Sequence, residues 1–447
     1  MALAAALRCF RLGDKSFWLD EGSSWAIAHL PPAQFWYRLW SQEFNMVAYY
    51  ELLRAWLHLG SSEAMIRALS VIPAVLTVLL VYELGNHLFD RQTGLLAALL
   101  LAVHPAHVAY SQEARGYALA ILLCLLSTRL FVRVMESPGW GYAALYALVS
   151  ALAIYTHFFA VLILAAQAAS LPAWPRPQFP WRRLLTVAAA IVALAVPAAI
   201  FVLTRDIGQL LWIQHPNLHS LLQLAGVWFG NGVRILCFVL LGAIAVREFA
   251  HLRRSESAWP YALLMSWVMT PFLLLLALSF RKPVLTPRFL LICLPAIVIL
   301  AARGACLLRQ TRWPLAVYAL LLVLLGASLH SYYRRPKEDW RAATGFVLSS
   351  VQPGDAVLVW YPEPFQYYRE RFSVRVPIHE FDSRGEPMQF DSLVGSVPPY
   401  PHVWLVGYSW WAKDANYIAI STALERDYHA RQESEFTGGI KVVRYGP

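Results

Sequence analysis

From the first residue onward, long apolar stretches alternate with short polar breaks. Apolar runs of bilayer-spanning length occupy residues 64–88, 93–110, 116–135, 141–156, 157–173, 184–204, 219–246, 259–280, 288–308 and 314–333. A helix needs about 20 such residues to cross the hydrocarbon core. The stretch 142–171 is too long for one helix and is expected to fold back near Tyr155-Thr156-His157. Residues 1–7 are apolar but too few to span, and they lack the charged start of a signal peptide. Residues 1–10 therefore read as the outer part of a first transmembrane helix. The pattern predicts about eleven transmembrane helices.

Arginine in the short loops orients this array, because cytoplasmic loops collect positive charge. Counting the spans alternately, one side receives Arg91, then Arg129 and Arg133, then Arg176, Arg182 and Arg183, then Arg247, Arg253 and Arg254, then Arg309 and Arg312. That side is assigned to the cytoplasm. The outer side receives the loop 11–63, the turn Ser111-Gln112-Glu113-Ala114-Arg115, His157, the loop 205–218, residues 281–288 and everything after Tyr333. Within the first outer loop, residues 23–29 and 33–40 read as short amphipathic helices carrying Trp25, Phe35, Trp36, Tyr37 and Trp40. Such aromatics favour the headgroup level, so both helices are expected on the outer interface.

After Arg334-Arg335-Pro336 the pattern changes period. Residues 355–360, 374–378, 403–407 and 440–444 read as strands, and 340–350, 364–371 and 414–426 as helices. That alternation predicts a small α/β domain with a largely parallel sheet. The expected organisation is a membrane domain over 1–333 and an extracytoplasmic α/β domain over 334–447. The second carries no glycine-rich phosphate loop, no metal-spaced His/Cys cluster and no nucleophile elbow.

Composition agrees with a polytopic membrane protein: 58% hydrophobic and 14% charged residues, against about 25% charged in soluble domains. The net charge of +10 is explained by the loop arginines, and with 18 Trp it does not indicate nucleic acid. All five cysteines lie in or beside apolar segments, so no disulfide framework exists in the polar C-terminal region and cysteine usage does not fix the compartment.

Polar residues assigned to the outer face come from distant parts of the chain: Asp20, Glu21, Glu43, Asn45, Arg67, Glu113, Arg115, His157, Arg281, Lys282 and Arg288. Adjacent carboxylates such as Asp20-Glu21 are costly near a bilayer and suggest work at the water–lipid boundary. A carboxylate can take a proton from a hydroxyl, and arginine binds phosphate through a planar fork. The group suits a substrate that is anionic at one end and hydroxylated at the other.

Several segments resemble bacterial family 39 glycosyltransferases, in order and over nearly the whole chain. They are Leu19-Asp20-Glu21, Asn45-Met46 before Ala48-Tyr49-Tyr50-Glu51-Leu52-Leu53, Arg67-Ala68-Leu69-Ser70, and Tyr110-Ser111-Gln112-Glu113-Ala114-Arg115-Gly116-Tyr117. Tyr155-Thr156-His157-Phe158, Pro287-Arg288-Phe289-Leu290 and Lys337-Glu338-Asp339-Trp340-Arg341 continue the set. That family belongs to the GT-C superfamily, with protein O-mannosyltransferases and lipid A aminoarabinose transferases. The resemblance implies a polyprenyl-phosphate-linked sugar donor and a glycan, lipid or protein acceptor. It also implies transfer with inversion on the outer face of the bacterial inner membrane.

By the same resemblance Asp20 is the catalytic carboxylate, with Glu21 beside it. Arg115 and Arg288, with Arg67, hold the donor phosphate; Glu43, Asn45, Glu113, Tyr117, His157 and Lys282 are candidate substrate contacts. Asn45-Met46-Val47 departs from the His-Pro-Pro or Asn-Pro-Pro of many relatives, so acceptor contacts do not transfer from the mannosyltransferase branch. No cofactor is required, and a divalent metal is not indicated, because phosphate can leave as a dianion held by arginine. His215 and His219 have the spacing of one helical face, but Pro216 and Asn217 between them break that geometry.

Simpler readings stand beside these. Asp20 has the side chain of a helix cap; Arg67 and Arg288 of snorkelling helix-end residues; Glu113 and Arg115 of a local ion pair; His157 of a satisfied structural histidine. Two other function classes compete: a polyprenyl-linked glycan transporter without chemistry, and a membrane anchor for the C-terminal domain. Transporters commonly show repeats and intramembrane charge, whereas here no repeat is found and the charges gather at one interface.

Overall fold

The computed structural model describes residues 1–447 apart from 138, 176–178, 206–212, 253–254, 308–312, 371, 373–377, 382–399, 410–414 and 447. The chain forms two compact units: Met1–Leu12, Trp36–Gly60 and Met65–Tyr333 in the first, and Gly13–Phe35, Ser61–Ala64 and Arg334–Pro447 in the second.

The first unit is helical. In chain order its elements are α1 (Ala2–Cys9), α4 (Val47–Trp56), α5 (Glu63–Leu88), α6 (Arg91–Val103), α7 (Pro105–Ser111), α8 (Tyr117–Glu136), α9 (Trp140–Thr156) and α10 (Val161–Ser170). There follow α11 (Trp181–Thr204), α12 (Leu218–Phe229), α13 (Val233–Leu252), α14 (Trp259–Ser279), α15 (Leu294–Leu307) and α16 (Trp313–Arg334). The numbers between belong to α2 (Leu19–His29) in the second unit and α3 (Pro32–Arg38) at the boundary.

Among the described residues seven helices are long and apolar enough to cross a membrane, or eight if the bent pair α6–α7 counts as one span. Helix α9, the stretch Phe158–Ala173 and α12 are shorter apolar helices that complete the expected array. The protein is a multi-pass membrane protein.

Three local features bear on the expected spans. The expected single span 219–246 is two helices. The apolar run contains Gly230-Asn231-Gly232, and both glycines adopt positive φ (79° and 59°), which ends α12 and starts α13 on a new axis. The reversal expected near His157 is present. Trp174, after α10, packs at 4.5 Å on Trp259, which lies 6.2 Å from Phe131 near the end of α8, so the chain returns to the level from which α9 set out. Finally, α6 and α7 are bent by 60° at His104-Pro105, because Pro105 has no N–H to continue the helical ladder.

The second unit contains a five-stranded sheet of β1 (Ala356–Trp360), β2 (Ile378–Phe381), β3 (Val403–Tyr408), β4 (Ala430–Phe436) and β5 (Ile440–Gly446). The strand order is β2-β1-β3-β5-β4. Pairs β1–β2 and β1–β3 are parallel, with Val357 opposite Ile378 and Trp404. Pairs β3–β5 and β4–β5 are antiparallel. The sheet is therefore mixed, which corrects the largely parallel expectation. Strand β4, Ala-Arg-Gln-Glu-Ser-Glu-Phe, carries no apolar alternation because it is an outer strand with charged side chains, which also protect its free edge. Of the strand expected at 374–378, residues 374–377 lie outside the described residues and Ile378 begins β2.

Helices α17 (Trp340–Ser350), α18 (Glu363–Arg369) and α19 (Ala415–Asp427) accompany the sheet. Helix α2 joins this unit by packing on α18: Trp25 lies 5.3 Å from Tyr367, Phe17 lies 4.5 Å from Tyr367, and a Cβ on Gly22 would stand 2.6 Å from the Pro364 nitrogen. Trp25 is accordingly buried, Phe35 on α3 is buried as well, and Trp36, Tyr37 and Trp40 are exposed. Only the latter three keep the exposure expected of an interfacial belt. Within the loop, α2 begins at Leu19 and α3 gives way to a π-helical turn at Leu39–Glu43.

Candidate active site

Two sets of side chains carry the candidate chemistry, one in each unit. In the membrane unit the turn before α8 and the reversal after α9 converge. Arg115 donates from Nη1 to the Tyr50 hydroxyl at 3.3 Å, and its own carbonyl accepts from Ser70 Oγ at 3.2 Å. Tyr117, at the start of α8, lies 5.6 Å from the His157 ring. His157 also meets Phe289 at 5.2 Å, and Arg288 reaches over the Phe289 ring at 5.9 Å. Asn45 completes the turn: its Oδ1 accepts the Phe158 N–H at 2.9 Å.

His157 is buried, and its Nε2 has no hydrogen-bond partner among the described residues. Both Arg115 and Arg288 bear on it electrostatically. The segments that carry Arg115 and Arg288, about 170 residues apart in sequence, thus meet at one imidazole through the rings of Tyr117 and Phe289, and two guanidiniums brought into one region suit an anionic headgroup.

The other candidates in this unit have varied settings. Arg67 is buried and donates to the Leu12 carbonyl at 2.9 Å, so it anchors the exit of the first helix. Glu113 and Glu43 are half-buried, whereas Arg281 and Lys282 are exposed in the loop after α14. His215 Nδ1 lies 3.3 Å from the Ser279 carbonyl and His219 Nε2 lies 2.9 Å from Gln223 Nε2, so the two rings have separate partners. Among the described residues no group of three His, Cys, Asp or Glu is placed to hold a metal ion.

In the second unit, Asp20 and Glu21 occupy the first turn of α2. Acidic side chains are favoured there by the helix dipole, yet α2 has no side-chain cap from its own N-terminal neighbour, Trp18. Instead Glu338 Oε2 accepts the Leu19 N–H at 3.1 Å. Glu21 is fully buried with Lys337 Nζ at 3.6 Å, and Lys337 lies 5.9 Å from the Trp18 ring centroid. Asp20 is half-buried. The two adjacent acids therefore differ: Glu21 is held in a buried ion pair, and Asp20 retains solvent access. Glu338 also accepts a hydrogen bond from Tyr408 Oη, whose oxygen accepts from Trp340 Nε1 at 3.0 Å. Burial, then the neighbouring Asp20 charge, raises the Glu338 carboxyl above its ordinary value, and the bonds from Tyr408, Leu19 and Trp340 oppose that rise.

A third polar cluster escaped the sequence. Arg8 is completely buried on α1. Its Nη1 donates to the Ala4 and Ala102 carbonyls at 2.9 and 3.1 Å, and its Nη2 to the Leu101 carbonyl at 3.2 Å and to His107 Nδ1 at 2.7 Å. The Leu101 and Ala102 carbonyls lie in the last turn of α6, next to the proline break, and the Leu101 oxygen also accepts the His104 N–H at 3.3 Å. Arginine is donor-only, so His107 Nδ1 accepts and the ring proton sits on Nε2. Gln112 joins by donating to the Arg8 and Phe10 carbonyls at 2.9 and 2.8 Å while accepting from Tyr332 at 3.0 Å. The signal available in the sequence was an arginine within an apolar helix and a His-Pro-Ala-His run inside a span.

Comparison with known proteins identifies the fold. Residues 46–203, roughly a third of the chain, match the family model for dolichyl-phosphate-mannose-protein mannosyltransferase. No curated protein sequence matches. Among solved structures, ArnT from Cupriavidus metallidurans bound to undecaprenyl phosphate superposes with a TM-score of 0.66 at 13% identity, covering 100% of this chain and 98% of that one. The chain has the GT-C fold. A second GT-C structure, the Archaeoglobus fulgidus oligosaccharyltransferase tethered to an acceptor peptide, matches with a TM-score of 0.57 at 13% identity, covering 98% of this chain and 73% of that one. The archaeal oligosaccharyltransferase AglB with an inhibitory peptide and a dolichol-phosphate gives 0.52 at the same identity, covering 98% and 73%.

Proposed function

We propose that the protein is an inverting glycosyltransferase that moves a sugar from a polyprenyl-phosphate carrier to an acceptor hydroxyl. The observation that carries this reading is the meeting of the Arg115–Tyr117 and Arg288–Phe289 segments at the buried His157, through Tyr117 and Phe289. The family-model match over 46–203 and the likeness to ArnT with its bound undecaprenyl phosphate support it. Asp20 is the general base: it takes the acceptor O–H proton as that oxygen attacks the anomeric carbon. The bond from that carbon to the phosphate oxygen breaks, and the electron pair leaves with the phosphate. Arg115 and Arg288 stabilise the resulting dianion, so neither a general acid nor a metal is needed. Transfer takes place on the extracytoplasmic face of the bacterial inner membrane, the side opposite the arginine-rich loops.

Membranes containing the full-length protein should consume a polyprenyl-phosphate sugar when supplied with acceptor. Asp20→Asn should abolish that consumption while leaving the protein in the membrane; an unaffected Asp20→Asn sinks the catalytic assignment.

Carrier transport without chemistry has one observation in its favour, the broken helix α6–α7 with buried Arg8, His104 and His107 beside it. It revises the expectation that charge gathers at one interface. Three of the four Arg8 bonds, however, go to backbone carbonyls, which is the work of a helix brace. Transport would move the intact sugar lipid, so recovery of unchanged donor after its disappearance from one leaflet would favour it.

A further inference from the structure

The acid that caps α2 comes from far away in the chain. Leu19 N–H is one of the donors that the first turn of any helix leaves unsatisfied, and Glu338 Oε2 takes it at 3.1 Å across 319 residues of sequence. Leu19 immediately precedes Asp20, so this bond fixes the peptide from which the Asp20 side chain departs. Its neighbour Lys337 grips the other side of Asp20 through Glu21 at 3.6 Å. The consecutive pair Lys337-Glu338 therefore holds Leu19-Asp20-Glu21 at two points.

Glu338 is itself held rigidly. Tyr408, on β3, donates to the same Oε2, and Trp340 is anchored on Tyr408 at 3.0 Å. The turn between β4 and β5 closes over its backbone: a Cβ on Gly438 would stand 2.5 Å from Glu338 Cα, and the Asp339 N–H donates to the Thr437 carbonyl at 2.9 Å. A carboxylate fixed by strand, helix and turn is a preorganised support rather than a mobile surface acid.

We propose that Glu338 is a positioning residue for Asp20, acting through the Leu19 N–H and braced by Tyr408, so that the sheet unit sets the geometry of the general base. This rests on the reading of Asp20 as the base. A displacement of about 1 Å at such a group can cost about 100-fold in rate.

The test uses the full-length protein in membranes with a polyprenyl-phosphate sugar donor. Glu338→Ala removes the acceptor and should lower kcat 10- to 100-fold with donor KM unchanged, since the arginines are untouched. Glu338→Gln keeps an oxygen for Leu19 N–H and should restore most of the rate. Tyr408→Phe removes only the brace and should give an intermediate loss. Wild-type kcat in Glu338→Ala overturns the proposal. So does Glu338→Gln failing as badly as Glu338→Ala, because the acid itself would then be required. Should Glu338→Ala not accumulate, Tyr408→Phe decides: an unchanged kcat overturns the proposal, and a fall in kcat at constant donor KM supports it. Asp20→Asn separates the layers: if it stays active the reaction assignment fails, whereas if it is dead and Glu338→Ala is normal, only the positioning role fails.

Discussion

Arg8 on α1 and His107 on α7 meet at 2.7 Å, and the same guanidinium donates to the Leu101 and Ala102 carbonyls in the last turn of α6, beside the Pro105 break. A planar fork can serve these acceptors together; an ammonium cannot. Arg8→Lys and Arg8→Met should therefore both destabilise the protein, by about 2–4 kcal/mol, as buried acceptors lose their donor. Thermal unfolding in detergent reads this directly. A transition in Arg8→Met as high as in the unaltered protein would remove the brace from the account.

Arg115 and Arg288 are proposed to bind phosphate as forks rather than as point charges. Replacing either by Lys should cost about 10- to 100-fold in kcat/KM for the lipid donor, the worth of one or two charge-assisted bonds. Steady-state kinetics with varied donor would test it. Full retention in both lysine variants would place the donor phosphate elsewhere.

Gly22 lets α2 approach α18, because a Cβ there would stand 2.6 Å from the Pro364 nitrogen and 2.9 Å from its Cα. Backbone atoms cannot swing aside as a side chain does. Gly22→Ala should cost about 1–3 kcal/mol, read as earlier thermal loss of activity and faster proteolysis of the second unit. Gly141→Ala, where a Cβ would meet nothing within 4 Å, is the matched control.

Asp355 supplies a pH prediction. Its burial would raise the carboxyl, but the Gln352 N–H, Trp404 Nε1 and His402 bonds outweigh that and hold it below the usual range. A group depressed in the folded state stabilises the fold above its unfolded value of about 3.9, and the benefit is lost as pH falls through the lower, folded value. Unfolding of the full chain should therefore become easier below about pH 4, and Asp355→Asn should flatten that dependence. Equal slopes in the two proteins would contradict the assignment.

Much of this architecture was legible in the sequence, and the exceptions have physical causes. Apolar runs revealed the helices because nothing but length and hydropathy decides a span. The run 219–246 misled because Gly230-Asn231-Gly232 interrupts geometry without interrupting hydropathy. Helix 340–350 was readable to the residue, with Asp339 as its cap bonding the Ala342 N–H at 3.0 Å. Strand β4 was not, since an edge strand carrying Glu433 and Glu435 has no buried face to announce. In the candidate site, motif order suggested that Arg115, Tyr117, His157 and Arg288 belong together. No local pattern could reveal that Glu338 caps α2 or that Arg8 bonds α6, because those contacts span 319 and 93 residues.

The chain's interleaving also sets a clock on its biogenesis. Residues 13–35 belong to the unit completed by residues 334–447, so the segment bearing Asp20 emerges first and then waits for about 300 more residues. At about 5–20 residues per second this is a delay of roughly 15–60 s. During it, Glu21 has no Lys337 and the Leu19 amide has no Glu338. A ribosome stalled anywhere before the last helix-to-sheet passage leaves a membrane-inserted protein with an unsupported first loop. Quality control acting on such a nascent chain would have a ready feature to recognise, an acidic turn still lacking the residues that will hold it.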